Sequence, residues 1–262
     1  MKIFQALLGV FVLVWAQLSY ADTKTQVLDL PTRPGVTVRI LALTPAQPKA
    51  AVILLAGGHG GLRISPEGTM RWGEGNFLIR TRSLFADQGL TAVVVDTPTD
   101  RMSPPFLSGF RHTNEHALDL KTVIGWLRQQ ANIPVWLVGT SRGTESAAAA
   151  GIHLQGTDGL RGLVLTSSIL VNSRSVTVPQ MPLNTFQGPV LVVHHELDAC
   201  RVTLFSDLDK LKVALNPNAV HEVMVFQGGV TRGDPCEAMA YHGYNGIEPE
   251  VVRKISEWVV SH

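Results

Sequence analysis

The sequence lacks a strong charge of either sign. It has 22 Lys and Arg residues against 21 Asp and Glu residues, for a formal net charge of +1. It also contains no run of basic residues. Nucleic acids and anionic membrane surfaces attract proteins through clustered positive charge. We therefore expect neither of them to be a partner of this chain.

Internal repeats, low-complexity tracts and interdomain linkers are also missing. The chain has 262 residues, of which 45% are hydrophobic and 16% are charged. This length and composition are typical of one folded domain with a sizeable core. We predict a single domain over residues 22–262, and the sequence leaves its oligomeric state open.

A long apolar run occurs only at the N-terminus. Lys2 precedes an apolar stretch over residues 3–16, and Ser19-Tyr20-Ala21 places small residues at positions −3 and −1 of a cleavage site. This pattern predicts a signal peptide over residues 1–21 and export to the periplasm or the medium, with no stable membrane anchor after cleavage. The alternative is an uncleaved N-terminal anchor, for which the run is short.

Cysteine is scarce as well. The chain contains two, Cys200 and Cys236. An even number of cysteines in an exported chain favours one disulfide bond. The alternative is a pair of buried free thiols.

What the sequence does have is an alternation of short apolar runs and helical patterns. The predicted strands are residues 26–30, 36–43, 50–56, 91–96, 134–138, 162–166, 189–194 and 220–226, with a turn at 31–34 after the first. The predicted helices are residues 76–88, 116–130, 141–154, 202–215 and 248–260. This order predicts an α/β fold with a mostly parallel sheet and helices on both faces. Residues 171–187 show no helical period, so we expect no large lid.

The motif Gly139-Thr140-Ser141-Arg142-Gly143 matches the pattern G-x-S-x-G. It is weak evidence alone, but here it joins an apolar strand to an alanine-rich helix, which is the setting of a nucleophile elbow. A serine in this position is exposed at a helix N-terminus, where developing negative charge is stabilised. We predict that Ser141 is a nucleophile.

A serine nucleophile needs a base, and the base needs an acid that orients it. With a serine on such an elbow, the acid and then the histidine follow it in the chain. Asp198 follows the next-to-last predicted strand, and His242 lies in the loop after the last one. We predict Asp198 as the acid and His242 as the base. The alternatives are that Asp198 only caps a helix, that Glu196 is the acid instead, and that His242 is a loop histidine without a catalytic role.

The glycine-rich segment Gly57-Gly58-His59-Gly60-Gly61 follows the third predicted strand. Such a loop supplies one backbone N–H to an oxyanion, and the residue after the nucleophile supplies the other. We predict Arg142 as one donor and either Gly58 or His59 as the other. The alternative is that the glycines only form a tight turn.

Together these segments resemble the α/β-hydrolase family over essentially all of residues 22–262. The resemblance implies an eight-stranded, mostly parallel sheet with the site at its C-terminal edge. Without a lid, the chain looks more like small secreted esterases and dienelactone-hydrolase-like members than like lidded lipases. It departs from the dienelactone hydrolases proper, which use cysteine where this chain has Ser141.

The family resemblance gives the two cysteines a role. Cys200 lies two residues after Asp198 and Cys236 six before His242, so a bond between them would tie the two loops together. The sequence leaves the roles of two further groups of side chains open. Four arginines could bind an anionic substrate group or lie on the surface: Arg80, Arg82, Arg101 and Arg111. Five aromatic residues could line an acyl pocket or pack in the core: Trp72, Phe77, Phe106, Phe110 and Tyr241.

Two rival functions remain. The segment His112-Thr113-Asn114-Glu115-His116 matches the H-x-x-E-H pattern of inverted zinc peptidases. An inactive binding protein on the same fold is the other rival, since fold alone does not determine function. The sequence favours a serine hydrolase acting on a small-molecule carboxylic ester without a cofactor, with a peptidase or amidase on the same triad as the alternative.

Overall fold

The computed structural model describes residues 23–172 and 175–262. The predicted signal peptide, residues 1–21, lies outside the described residues. Within them, no helix is both long enough and apolar enough to cross a bilayer.

Within residues 23–172 and 175–262, eight strands form one sheet. Their bounds are Lys24–Arg33 (β1), Val36–Thr44 (β2), Ala50–Leu55 (β3), Leu90–Pro98 (β4), Val135–Thr140 (β5), Leu160–Thr166 (β6), Val190–His195 (β7) and His221–Phe226 (β8). The spatial order is β1-β2-β4-β3-β5-β6-β7-β8. The β1-β2 and β2-β4 pairs are antiparallel and every other pair is parallel. The predicted eight-stranded, mostly parallel sheet is confirmed.

In the part of the chain that the structure describes, six α-helices accompany the sheet: Phe77–Arg80 (α1), Arg82–Asp87 (α2), Asn114–Gln130 (α3), Gly143–Leu154 (α4), Leu208–Lys212 (α5) and Glu248–Ser261 (α6). The central strands are buried on both faces, so successive side chains enter opposite cores. In β3, Ile53 belongs to the hydrophobic core that includes residues of α3, α4 and α5, while Val52 belongs to the core that includes residues of α1, α2 and α6. The sheet therefore separates two hydrophobic cores.

Three predicted segments differ in the structure. Residues 31–33 continue β1 through an irregularity between Pro31 and Arg33 instead of forming the turn. The helix predicted at 76–88 is divided at Thr81 into α1 and α2. The helix predicted at 202–215 was mostly wrong, since only a 3-10 turn and the five residues of α5 are helical there.

The segment between β6 and β7 forms no lid in its described part. It makes two 3-10 turns, Val178–Gln180 and Leu183–Thr185, whose apolar side chains Val178 and Leu183 pack into the core beside α4. The edge of the sheet above β5 therefore stays open.

Candidate active site

Ser141 lies on a sharp turn between β5 and α4. Its φ of +52° is in the left-handed region, which is costly for a residue with a Cβ atom. The flanking glycines permit this turn. A Cβ at Gly139 would lie 2.3 Å from the carbonyl oxygen of Gly143, and one at Gly143 would lie 2.0 Å from that of Leu55. The strained serine is thus held by close backbone packing.

Hydrogen bonds fix the same turn. The Ser141 N–H donates to the carbonyl of Thr166 on β6 at 3.0 Å. The Ser141 carbonyl accepts from both the N–H and the hydroxyl of Thr144, at 2.9 and 2.6 Å. Ser141, held in this turn, lines a cavity.

Asp198 and His242 form a buried pair. Asp198 follows β7 and His242 lies in the 3-10 turn Tyr241–Gly243, and the distance from His242 Nδ1 to Asp198 Oδ2 is 3.0 Å. Asp198 Oδ1 also accepts from the Cys200 N–H at 3.0 Å. The alternative acid, Glu196, is instead bonded to Gln227.

Two further residues, Thr203 and His194, complete the surroundings of Asp198. The Thr203 hydroxyl donates to Asp198 Oδ2 at 2.9 Å and lies 3.1 Å from His242 Nδ1. His194 Nε2 bonds the Thr203 carbonyl at 2.7 Å, and burial lowers the pKa of its imidazole. Thr203 belongs to no motif, so its role had no sequence signal, whereas the position of His194 at the end of a predicted strand indicates a site wall or a core residue.

The loop that carries His242, residues 227–247 (the His242 loop), is anchored through its backbone. The Ser167 hydroxyl donates to the carbonyl of His242 at 2.8 Å. Arg80 donates to the carbonyls of Gly243 and Gly75, both at 2.6 Å, and pairs with Glu248 at 2.9 Å.

Beneath this loop, Tyr244 is buried with a φ of +57°. Its hydroxyl donates to the carbonyl of Val193 at 2.9 Å and accepts from the N–H of Ser167 at 3.2 Å. Burial raises the pKa of this phenol, so it remains a neutral donor. The base is therefore tied to the ends of both β6 and β7.

Ser141 and His242 line one cavity of about 450 Å³. The structure shows no hydrogen bond of Ser141 Oγ to His242 within the described residues, and catalytic hydrogen bonds are often long without substrate. Of the five aromatics that the sequence left open between an acyl pocket and the core, Trp72 and Phe77 line the cavity. Phe106 and Tyr241 stack with His59 and His195, and Phe110 meets His116 edge-on.

The glycine loop, residues 56–61, borders the cavity through Gly57 and Gly58. Within the described chain, the backbone N–H groups of Gly57, Gly58 and Arg142 donate no hydrogen bond. They are therefore available to an anion near Ser141. His59 lies outside the cavity lining, with its ring between Trp72 and Phe106 at centroid distances of 3.8 and 4.3 Å.

Cys200 and Cys236 form a disulfide bond that lines the cavity. It joins residues 196–204, the Asp198 loop, to the His242 loop. Cys200 is buried and Cys236 is exposed.

The four arginines considered for anion binding are not among the residues that line the cavity. Arg80 and Arg82 bond backbone carbonyls, Arg101 packs over Phe110, and Arg111 is buried. Arg142, predicted as an oxyanion donor, lines the cavity together with Arg201, which the sequence analysis did not single out.

The H-x-x-E-H segment has no metal-binding geometry in the structure. Glu115 is exposed on α3, whereas His116 is buried with neither ring nitrogen hydrogen-bonded. Burial lowers the pKa of His116 to about 3. In the part of the chain that the structure describes, no group of three His, Cys, Asp or Glu side chains is placed to hold a metal. The zinc alternative therefore has no ligand set there.

Solved structures of hydrolases share this architecture. A dienelactone hydrolase from Anabaena variabilis is similar with a TM-score of 0.63 and 15% identity, over 92% of this chain and 98% of that one. An esterase from Pyrobaculum calidifontis has a TM-score of 0.62 and 16% identity, over 91% and 85%. A Pyrococcus furiosus esterase has a TM-score of 0.60 and 14% identity, over 90% and 92%.

No protein-family model and no curated protein sequence matches the chain. At identities this low, structural likeness defines the fold and not the activity. The chain has the α/β-hydrolase fold that its sequence predicted.

Proposed function

We propose that this protein is an exported serine hydrolase that cleaves carboxylic esters, with Ser141, His242 and Asp198 as its triad. The observation that carries the proposal is the buried Asp198–His242 pair, 3.0 Å apart, on the same cavity as a strained Ser141. Nucleophile, base and acid are the three parts that acyl transfer through a serine requires. The hydrolase and esterase names of the similar structures support the same reaction class.

In this mechanism His242 Nε2 takes the proton of the Ser141 hydroxyl as Oγ attacks the ester carbonyl carbon. Asp198 accepts a hydrogen bond from His242 Nδ1, which fixes the tautomer and stabilises the imidazolium. The Thr203 hydroxyl donates to the same carboxylate oxygen and so helps to orient it towards His242. His242 then protonates the leaving alkoxide, and a water molecule releases the acid by the reverse steps.

The negative charge that develops on the carbonyl oxygen needs fixed donors. We assign them to the backbone N–H of Arg142 and to the glycine loop, where Gly58 is favoured over His59 because Gly58 borders the cavity. Loss of one such donor typically lowers kcat by about 100- to 1,000-fold.

Export rests on a separate argument. A disulfide bond persists in oxidising compartments, and Cys200 and Cys236 are bonded. This pairing fits the predicted signal peptide over residues 1–21.

The decisive experiment is labelling of residues 22–262 with a fluorophosphonate, beside Ser141→Ala and a matched control, Ser108→Ala, which changes an exposed serine. We expect wild type and Ser108→Ala to react equally, with or without EDTA, and Ser141→Ala not to react. Absence of labelling in a folded wild type would contradict the serine mechanism. A panel of p-nitrophenyl esters and the matching anilides then separates ester from amide hydrolysis.

A further inference from the structure

Arg111 is a buried cation that the proposed chemistry does not use. Its residue is 3% exposed, and it precedes α3 at the end of a loop beneath the glycine loop. An arginine is rarely buried unless several hydrogen bonds offset the loss of hydration. The hydrogen-bond partners of Arg111 therefore indicate which segments of the fold its side chain connects.

Two of its bonds go to the glycine loop. Arg111 Nη2 donates to the carbonyl of Ala56 at 3.1 Å and to the carbonyl of Gly58 at 3.2 Å. In a trans peptide the C=O and N–H groups point in opposite directions. Fixing these carbonyls therefore fixes the peptide planes on both sides of the Gly57–Gly58 peptide.

The third bond reaches the helix of the nucleophile. Arg111 Nη1 donates to the hydroxyl of Ser146 at 2.7 Å, and Ser146 is fully buried in the first turns of α4. The N-terminus of this helix carries the free N–H of Arg142. One guanidinium group thus connects the two segments that border the oxyanion position.

Packing and charge support the same connection. A Cβ at Gly60 would lie 2.9 Å from Arg111 Nη2, so the loop passes directly over the guanidinium. Burial lowers the pKa of Arg111 to about 10, which leaves it charged at neutral pH, and buried Glu145 favours that charge. A charged donor makes stronger bonds to carbonyls than a neutral one.

We propose that Arg111 is a positioning residue that sets the distance and direction between the two oxyanion donors. It bonds both carbonyls that flank the Gly57–Gly58 peptide and ties them to α4 through Ser146. This inference rests on the proposed function. It makes transition-state stabilisation depend on a residue that lies outside both the triad and the cavity lining.

The test is Arg111→Lys, which keeps the positive charge but replaces the planar, multi-donor fork by a single ammonium. We expect kcat per titrated active site on p-nitrophenyl acetate to fall about 10- to 100-fold, because a misplacement near 1 Å costs that much. KM should change less than about threefold, since ground-state contacts are untouched. Ser146→Ala, a milder change, should lower kcat in the same direction by a smaller factor.

Hydrogen exchange supplies a readout that does not need activity. Amides of residues 57–61 should exchange about tenfold faster in Arg111→Lys, because opening of the loop becomes easier. Arg33→Lys is the matched control. Arg33 is also a well-bonded arginine, but its partners Asp100 and Asp119 lie outside the cavity lining. It should leave both readouts unchanged.

The outcomes are distinct. If kcat per titrated site or loop exchange in Arg111→Lys equals that of the wild type, the proposal is overturned. If Arg111→Lys does not fold, Ser146→Ala decides by the same two measurements. If the wild type neither labels nor hydrolyses esters, the proposed function fails, and the exchange rates alone decide whether Arg111 holds the loop.

Discussion

The two sides of the cavity are held by different means. On the nucleophile side, Ser141 is fixed by glycines that let backbone segments approach closely, as at Gly139 and Gly143. On the acid–base side, Asp198 and His242 lie on long loops held by side-chain hydrogen bonds and a disulfide. The first arrangement is local and rigid, while the second depends on residues far apart in the chain. Substitutions on the two sides should therefore differ in their effects on activity and on stability.

Loss of the acid is expected to have the largest effect, and it should spare folding. Asp198→Asn can still accept from the Cys200 N–H but removes the charge that stabilises the imidazolium. We expect kcat per titrated site to fall by about 10⁴, which equals about 5.5 kcal/mol. Glu196→Gln is the control and should retain wild-type activity. A kcat of Asp198→Asn within tenfold of wild type, roughly 1.4 kcal/mol, would contradict the assignment.

A methyl group added on the nucleophile side should lower the stability of the fold. In Gly143→Ala the Cβ would lie 2.0 Å from the Leu55 carbonyl oxygen, a backbone atom that cannot move cheaply. We expect the free energy of unfolding to fall by about 4 kcal/mol or more in urea denaturation. Gly125→Ala, in the middle of α3 with open space around its Cα, should instead gain about 0.5–1 kcal/mol. Equal stability of the two variants would refute the close-packing argument.

Removal of the disulfide tests the acid–base side. Cys200 and Cys236 are separated by 36 residues in sequence. On the chain-entropy estimate, Cys200→Ser with Cys236→Ser should lower the free energy of unfolding by about 3–4 kcal/mol. Reductant should destabilise the wild type to the same level and leave the double variant unaffected. A double variant as stable as the oxidised wild type would show that hydrogen bonds alone hold the two loops.

The smallest expected effect concerns pH. Burial lowers the pKa of His116 from 6.5 to about 3 in the folded state. Between these values the unfolded chain binds a proton that the folded chain does not. Stability therefore rises with pH and is lost as the pH falls below 6.5. From pH 6.5 to pH 5 this loss is about 2 kcal/mol.

His116→Leu should reduce this pH dependence, as measured by urea denaturation at the two pH values. Some dependence should remain, because burial also lowers the pKa of His194. His153→Leu, which changes an exposed histidine on α4, is the control and should follow the wild type. If His116→Leu loses as much stability between pH 6.5 and pH 5 as the wild type does, the buried neutral histidine does not cause the pH dependence.

Much of the fold was predictable because its signals are local. Most strands are short apolar runs, and Ser141 stands between an apolar strand and an alanine-rich helix. The acid loop was harder. Residues 202–215 have an amphipathic pattern, but their first part stays non-helical where the Thr203 hydroxyl bonds Asp198 and Cys200 is tied to Cys236. Contacts across the fold override a local preference there.

The site was predictable only where chain order constrains it. Asp198 and His242 could be chosen because each follows a strand whose carboxyl end faces the site. Thr203 and Arg111 could not, because a threonine in a loop and an arginine before a helix look the same wherever they fold. Their roles depend on which carbonyl or carboxylate happens to be near.

By itself, the sequence determined the succession of strands and helices along the chain, the turn that carries Ser141 and the supply of glycines beside it. These depend on hydrophobic periodicity and on the absence of a side chain, which are properties of the residues themselves. Only the tertiary structure decided that His242 meets Asp198, that Cys200 meets Cys236, and that Arg111 lies buried between the glycine loop and α4. Those are distances between residues far apart in the chain, and they are fixed when the two cores pack against the sheet.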